Sequence, residues 1–153
     1  GLVGAGLLLD DVIIEMICDK IHLDPAMIEL AFKVKDIEKI ALITDSMRAS
    51  HLPDGKSSIG GLDVEVKDGV ARLVKDGALA GSTLKMCDAL KNVWEVTDLP
   101  LSELIKTTSL NQATELGIED LGRIEPGFLG DITILDDESF APKAVFVNGA
   151  QRL

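Results

Sequence analysis

Two short apolar runs with a helix signal between them constrain this chain more than any other feature. VIIEMIC at 12–18 is rich in Val and Ile and ends on Asp19, and IALIT at 40–44 ends on Asp45. Apolar runs of this length, bounded by polar residues, fit strands buried on both faces. Between them Asp24 stands as an N-cap, with Pro25 at the first helical position. Met27, Leu30, Ala31 and Val34 then recur at i, i+3, i+4 and i+7, which predicts one core-facing stripe. A strand, a helix and a second strand in this order make a β-α-β unit, whose strands run parallel through a right-handed crossover. The class is therefore α/β.

Beyond this unit the pattern changes. In LDVEVKDGVARLV at 62–74, Asp68-Gly69 is a two-residue hairpin signal. Folding about it pairs Val66 with Ala71 and Val64 with Leu73 on one face, and Glu65 with Arg72 on the other, so the hairpin is half-buried. A helical pattern resumes from Leu84, with Met86, Ala89, Leu90 and Val93 as its stripe and Ser82 or Thr83 as its cap. Pro100 opens a short helix, Ser109 and Gln112 make a capping-box pattern for another, and Gly117 suits its end. DITILD and KAVFVNGAQ supply two closing strands, and no internal repeat or low-complexity linker interrupts the chain.

Composition limits the partners. With 153 residues the chain is long enough for one domain, or for part of a larger one. Aromatic residues are only 3%, so the core is mainly aliphatic. A net charge of −11 repels phosphate backbones and anionic lipid, which argues against nucleic acid or membrane partners. An anionic substrate would need a local cationic pocket. No apolar run reaches transmembrane length, and GLVGAGLLLD lacks the basic start of a signal peptide. Cys18 and Cys87 lie in apolar contexts outside any C-x-x-C, which points to a reduced, cytoplasmic setting. The chain starts without Met inside an apolar segment, and the expectation is a piece of a longer protein.

The candidate chemistry sits where the two apolar runs end. Both hand over to polar residues, DKIH in one case and TDS in the other. In a parallel sheet or barrel that edge is where ligands and catalytic groups gather, so His22 and Asp45 are candidates for one site. The plainer alternatives are a turn former or helix cap for Asp45 and a loop or satisfied core histidine for His22. His51, in the polar loop ASHLPDGKS, reads as a loop residue, and Cys18 and Cys87 as small core residues. Met86 and Trp94 follow the helical pattern, so packing outranks a cofactor role. In LAGSTL at 79–84, Gly81 precedes a helix with free N–H groups, a turn that either binds an anion or substrate oxygen or is structural. Two histidines far apart in sequence, with no H-x-H, are a poor basis for a hydrolytic zinc centre within this chain.

Several stretches together carry a family likeness. GLVGAGL, CDKIHLDPA, ALITDSMRA with LPDGKSSIGG, DGALAGSTLKM, TSLNQATELGI and GRIEPGFLGDITILDD occur in order across almost the whole chain. In these segments it resembles the N-acetylglucosamine-6-phosphate deacetylases of the amidohydrolase superfamily. The resemblance implies the C-terminal part of a (β/α)8 metal-dependent hydrolase barrel over 1–121, with a β-hairpin insertion at about 57–78, and strands of a small β-sandwich domain over 122–153. It implies deacetylation of N-acetylglucosamine 6-phosphate to glucosamine 6-phosphate and acetate, in amino-sugar catabolism, by the full-length parent.

The same resemblance implies roles for particular residues. Asp45 falls on the catalytic aspartate, which takes a proton from a metal-bound water as it attacks the acyl carbonyl, passes it to the departing amine, and can itself touch the metal. Asp19, Lys20, Ile21 and His22 fall on the segment that contacts the sugar phosphate. Leu79, Ala80 and Gly81 fall on a turn that meets substrate through its backbone. The implied cofactor is a divalent metal, zinc or another transition metal. In the family its glutamate and histidine ligands, and the arginine that grips phosphate, lie upstream of the position matching Gly1. This chain alone is therefore expected to bind no metal and to be inactive, while the parent is expected to be a homo-oligomer, a dimer. Phe128 and Gly130 replace the Lys and Ala of the family's PGKxAD, a change expected to affect packing rather than catalysis. Two readings stand beside the deacetylase: a non-catalytic binding or assembly module, and an amidohydrolase acting on another N-acyl sugar or a cyclic amide. Open strand edges in an isolated piece of barrel would also favour association with copies of itself or with the rest of the parent.

Overall fold

The computed structural model describes Gly1–Leu153. After a short helix, α1 (Leu2–Leu8), the chain enters the expected unit: β1 (Ile14–Ile17), α2 (Pro25–Val34) and β2 (Ile40–Ile43). The two strands are parallel, with Ile14 opposite Ile40 and Ile17 opposite Ile43. In β2, Ile40, Ala41 and Leu42 are all buried, so both faces are covered as predicted. In β1 they are not. Met16 is buried while Glu15, which points to the opposite face of the strand, is exposed, so only one face of β1 is covered.

Helix α2 starts as its sequence demands, with the Asp24 carboxylate accepting the Ala26 N–H at 2.9 Å and Pro25 at the first turn. Its buried face differs from the predicted one. Ile28 and Ala31 are buried and Lys35 follows them inward, whereas Met27, Leu30 and Val34 are exposed. Ala31 belongs to both candidate stripes, so spacing could not separate them. Lys35 is accommodated on the buried side because its aliphatic stem packs inside while Nζ reaches the carbonyl of Leu9 at 2.5 Å, where a cation meets the negative end of α1.

Thr44–Met86 form a compact unit of their own, and Gly1–Ile43 with Cys87–Leu153 form the other. The smaller unit is an antiparallel meander of β3 (Gly55–Ile59), β4 (Leu62–Lys67) and β5 (Val70–Leu73). The β4–β5 register has Val66 opposite Ala71, Val64 opposite Leu73 and Glu65 opposite Arg72, as the hairpin signal required. Asp68 and Gly69 both take positive φ, the condition for the tight turn that matches strand twist. β3 was not anticipated. GKSSI reads as a polar loop, but Gly60-Gly61 is a second two-residue turn that folds it back as an edge strand, with Ile59 opposite Leu62. Val64, Val66 and Ala71 on one face of the meander pack with Met47, Ala49 and Ala80 into the core of this unit.

The larger unit resumes with α3 (Met86–Thr97), which starts two residues later than the pattern suggested and buries Ala89, Leu90 and Val93. Trp94 is 40% exposed rather than a core residue, and it lies against buried Phe140 with ring centroids 5.5 Å apart. Next come α4 (Leu101–Leu104), opened by Pro100, a 3₁₀ turn at Ile105–Thr108, and α5 (Leu110–Glu115). Gly117 ends α5 as predicted. At φ 68° it lets its own N–H reach Thr114 O and the Ile118 N–H reach Ala113 O, a Schellman close. The chain finishes in an antiparallel sheet of β6 (Ile132–Leu135), β7 (Pro142–Val147) and β8 (Ala150–Gln151), where an Asn148-Gly149 turn adds a third strand to the two expected. Gly130 lies under that turn. A Cβ there would stand 2.8 Å from Gly149 N, so this glycine is a packing requirement.

The capping box at Ser109 does not form, since Ser109 makes no side-chain cap bond. Gln112 is directed instead at β2, donating from Nε2 to Leu42 O at 2.9 Å and to Thr107 O at 2.6 Å. Beside it Asn111, 5% exposed, donates to Ile37 O and Ile40 O, each at 2.7 Å. Ile40 and Leu42 are two residues apart, so their carbonyls leave the strand on the same side, and two carboxamides stand where a third strand would be. Replacing Asn111 with Ala strands two carbonyls in a buried setting, a loss of about 2–4 kcal/mol. Urea unfolding should show a lower midpoint at unchanged slope, and an unchanged midpoint would exclude this role.

Candidate active site

Asp45 follows β2 by two residues, and its backbone is unusual. Its φ is +49°, a left-handed conformation that Asp tolerates better than most residues but that persists only where the surroundings hold it. The holding groups come from residues 80–84. Ser82 N–H donates to Asp45 O at 2.8 Å and Met47 N–H donates to Ser82 O at 2.9 Å, a parallel bridge between the two segments. The Ser82 hydroxyl donates to Thr44 O and accepts the Leu84 N–H at 3.1 Å. Ser46 Oγ donates to Leu84 O at 2.6 Å. The backbone around Asp45 is thus tied down, while its carboxylate is exposed and takes part in none of these bonds. The carboxylate is thus left free on a fixed support.

Leu79, Ala80 and Gly81 belong to the same support. Leu79 forms an isolated bridge with Arg72 and Ala80 N–H donates to Ala71 O at 3.1 Å, which pins this stretch to β5. Gly81 has φ +65°, and a Cβ on it would meet Asp45 O at 3.1 Å and Met47 Cβ at 3.2 Å, so only glycine allows the segments this close. The N–H groups of Ser82 and Leu84 are taken up within this segment, by Asp45 O and by the Ser82 hydroxyl. Ser82 caps no helix: α3 begins at Met86. The hairpin tip is tied into the same unit, with the Asp54 carboxylate accepting the N–H groups of Asp68 and Gly69 and the Thr83 hydroxyl donating to Gly69 O. His51 is exposed in the loop before β3.

In the larger unit, Asp19, Ile21 and His22 are brought together at the end of β1. One oxygen of the Asp19 carboxylate accepts the N–H groups of Ile21 and His22, each at 2.8 Å, and the other meets His22 Nδ1 at 2.7 Å. Burial alone would push this carboxyl up, but the bonds from His22 and Ile21 outweigh it and hold its pKa below the usual 3.8. Asp19 therefore organises the loop and orients the imidazole. Lys20, at φ 62°, points elsewhere and pairs with Glu95 of α3 at 2.6 Å, whose carboxyl it holds below its ordinary range. That pair is partly exposed and worth little, so the ammonium is readily given up to a stronger anion. Cys18, fully buried beside Asp19, has its thiol pushed up to about 12 by burial and by that carboxylate, so it is an inert core residue.

No three His, Cys, Asp or Glu side chains in the chain are arranged to hold a metal ion. Asp45 alone does not make a metal centre, and the residues present do not fit the group by themselves.

The model of the Amidohydrolase family matches residues 5–152. The chain belongs to the amidohydrolase family. Within it, the chain is 39% identical over 137 residues to the N-acetylglucosamine-6-phosphate deacetylase of Lysinibacillus sphaericus, a match covering 90% of this chain and 35% of that protein. It is also 39% identical over 137 residues to the N-acetylgalactosamine-6-phosphate deacetylase of Escherichia coli O157:H7, covering 89% and 36%. The crystal structure of the N-acetylglucosamine-6-phosphate deacetylase of Thermotoga maritima superposes with a TM-score of 0.92 at 46% identity, over 99% of this chain and 41% of that one. This amidohydrolase chain thus spans about a third of the length of those two curated relatives. No helix in it is long and apolar enough to cross a membrane.

The bonds around Asp19 set a pH signature for this segment. Because the folded-state pKa lies below the unfolded value near 3.8, the stabilisation is complete above that value and is lost as pH falls through the folded pKa. An Asp19→Asn variant should be less stable than the parent at neutral pH, and the gap should close in strong acid. Unfolding midpoints across an acid-to-neutral series check this; a gap constant to the acid end would be inconsistent with it.

Proposed function

We propose that this chain is the C-terminal part of an amidohydrolase that removes acetate from N-acetylglucosamine 6-phosphate, with Asp45 as its catalytic base. The observation that carries the reading is the exposed Asp45 carboxylate on a left-handed backbone pinned by Ser82, two residues past the carboxyl end of a buried parallel strand. The N-acetylglucosamine- and N-acetylgalactosamine-6-phosphate deacetylases, to which most of the chain is similar, support the reaction class.

In this reading β1, α2 and β2 are the last strand-helix-strand unit of a (β/α)8 barrel, the β3–β5 meander is inserted after its last strand, and residues 122–153 belong to the β-sandwich. Asp45 takes a proton from the water that attacks the acyl carbonyl carbon, then gives it to the amine nitrogen as the C–N bond breaks. Asp19 fixes the His22 ring through Nδ1, Lys20 offers positive charge to the phosphate, and His22 offers it a hydrogen bond. An otherwise acidic chain needs such a local provision for an anion. Leu79, Ala80 and Gly81 meet the sugar through their backbone. A divalent metal belongs to the same proposal only with ligands from outside this chain, and no step here depends on it. A homodimeric, cytoplasmic parent enzyme completes the reading, and residues 1–153 alone are expected to be inactive.

Replacing Asp45 with Asn keeps the shape and tolerates the same backbone while removing the base. In the complete enzyme kcat should fall by about 10²–10⁴-fold with KM changed little; undiminished turnover would remove the assignment. A substrate panel tests the sugar. Phosphorylated N-acetylhexosamines should be hydrolysed far faster than unphosphorylated ones, and a preference for the unphosphorylated sugar would shift the reading to another N-acyl substrate.

A further inference from the structure

We propose that Ser82 is the positioning residue for Asp45, fixing the direction of its carboxylate by holding both peptide groups that flank it. The proposal rests on the reading of Asp45 as the base and adds to it a residue that never touches substrate. Ser82 is 4% exposed, so its polar groups act on the protein rather than on solvent or ligand.

The geometry carries the argument. A residue's direction from the backbone is set by the two peptide planes on either side of its Cα. The plane before Asp45 bears the Thr44 carbonyl, and its oxygen accepts the Ser82 hydroxyl. The plane after it bears the Asp45 carbonyl, and its oxygen accepts the Ser82 N–H at 2.8 Å. One residue thus grips both planes, and its own carbonyl takes the Met47 N–H at 2.9 Å, closing the bracket on the far side. Rotation of the Thr44–Asp45 peptide is the motion by which Asp45 would leave φ +49° for an ordinary conformation, and that rotation breaks the hydroxyl bond. The hydroxyl is itself oriented, because it accepts the Leu84 N–H at 3.1 Å and so has its proton free for Thr44. Gly81 permits the close approach, as a Cβ there would press on the Asp45 carbonyl at 3.1 Å.

Loss of the Ser82 hydroxyl should therefore leave substrate binding intact and misdirect the base, and misplacement of a reacting group by about 1 Å costs on the order of 10²-fold in rate. The experiment compares Ser82→Ala, Ser82→Thr, Asp45→Asn and the double variant S82A/D45N in the complete enzyme, at a temperature where circular dichroism shows each to be folded. S82A should lower kcat by about 10–100-fold with KM within about threefold, and S82T, which keeps the hydroxyl, should recover most of the loss. In the D45N background S82A should cause no further loss, because its effect passes through Asp45. A folded S82A with wild-type kcat, or an equal loss from S82A in the presence and absence of the Asp45 carboxylate, overturns the proposal. Should S82A not fold, Ser82→Cys fills the same space with a weak donor, and wild-type kcat in that variant overturns it equally. An active D45N would instead remove the reading of Asp45 as base, which keeps the two failures distinct.

Discussion

A strand buried on both faces has no solvent to satisfy its backbone, and the larger unit is arranged around that demand at β2. Ile40, Ala41 and Leu42 gain by burial, but the carbonyls of Ile40 and Leu42 would each be costly if left unpaired. Asn111 and Gln112 bring their carboxamides to these oxygens from 71 and 70 residues away in sequence, so α5 and the 3₁₀ turn before it are held against the strand. The same demand explains why the Ser109 capping box is not used. A carboxamide bonded to the first turn of a short helix would recover less than one bonded to a buried strand edge.

The smaller unit meets a related demand at a single residue. Asp45 occupies a backbone region that side chains avoid, and the Ser82, Ser46 and Gly81 contacts keep it there. The meander of β3, β4 and β5 contributes by fixing residues 78–80 along β5, so the segment that holds Asp45 is anchored to a sheet rather than left as a loop. Proposed catalytic and structural roles are therefore divided between neighbours, with the carboxylate left free and its support tied by the Ser82 and Ser46 hydrogen bonds.

The region around Asp19 shows the same division on a smaller scale. Its carboxylate is consumed by the Ile21 and His22 N–H groups and by the imidazole, which makes it the organiser of the DKIH loop, while the exposed Lys20 is held only by a surface pair. Under the proposed function, which gives this chain of net charge −11 an anionic substrate, a weakly held lysine is of more use than one locked in a buried pair.

Sequence by itself determined the local events. The Asp24-Pro25 helix start, the Asp68-Gly69 hairpin with its register and the Gly117 helix end are legible because each depends on residues close to one another, and the parallel pairing of β1 with β2, 26 residues apart, is legible because a helix between two strands permits only a crossover. The same locality made the family motifs readable and placed Asp45 at a strand end. Tertiary structure alone decided which stripe of α2 turned inward, since Ala31 serves either and Ile28 and Lys35 find their partners outside the helix. It alone paired Asn111 and Gln112 with β2, folded GKSSI into an edge strand and gave Ser82 its grip on Asp45 rather than a helix cap. In most of these cases the deciding partner is distant in sequence, and short-range spacing carries no information about which distant carbonyl a polar side chain will find.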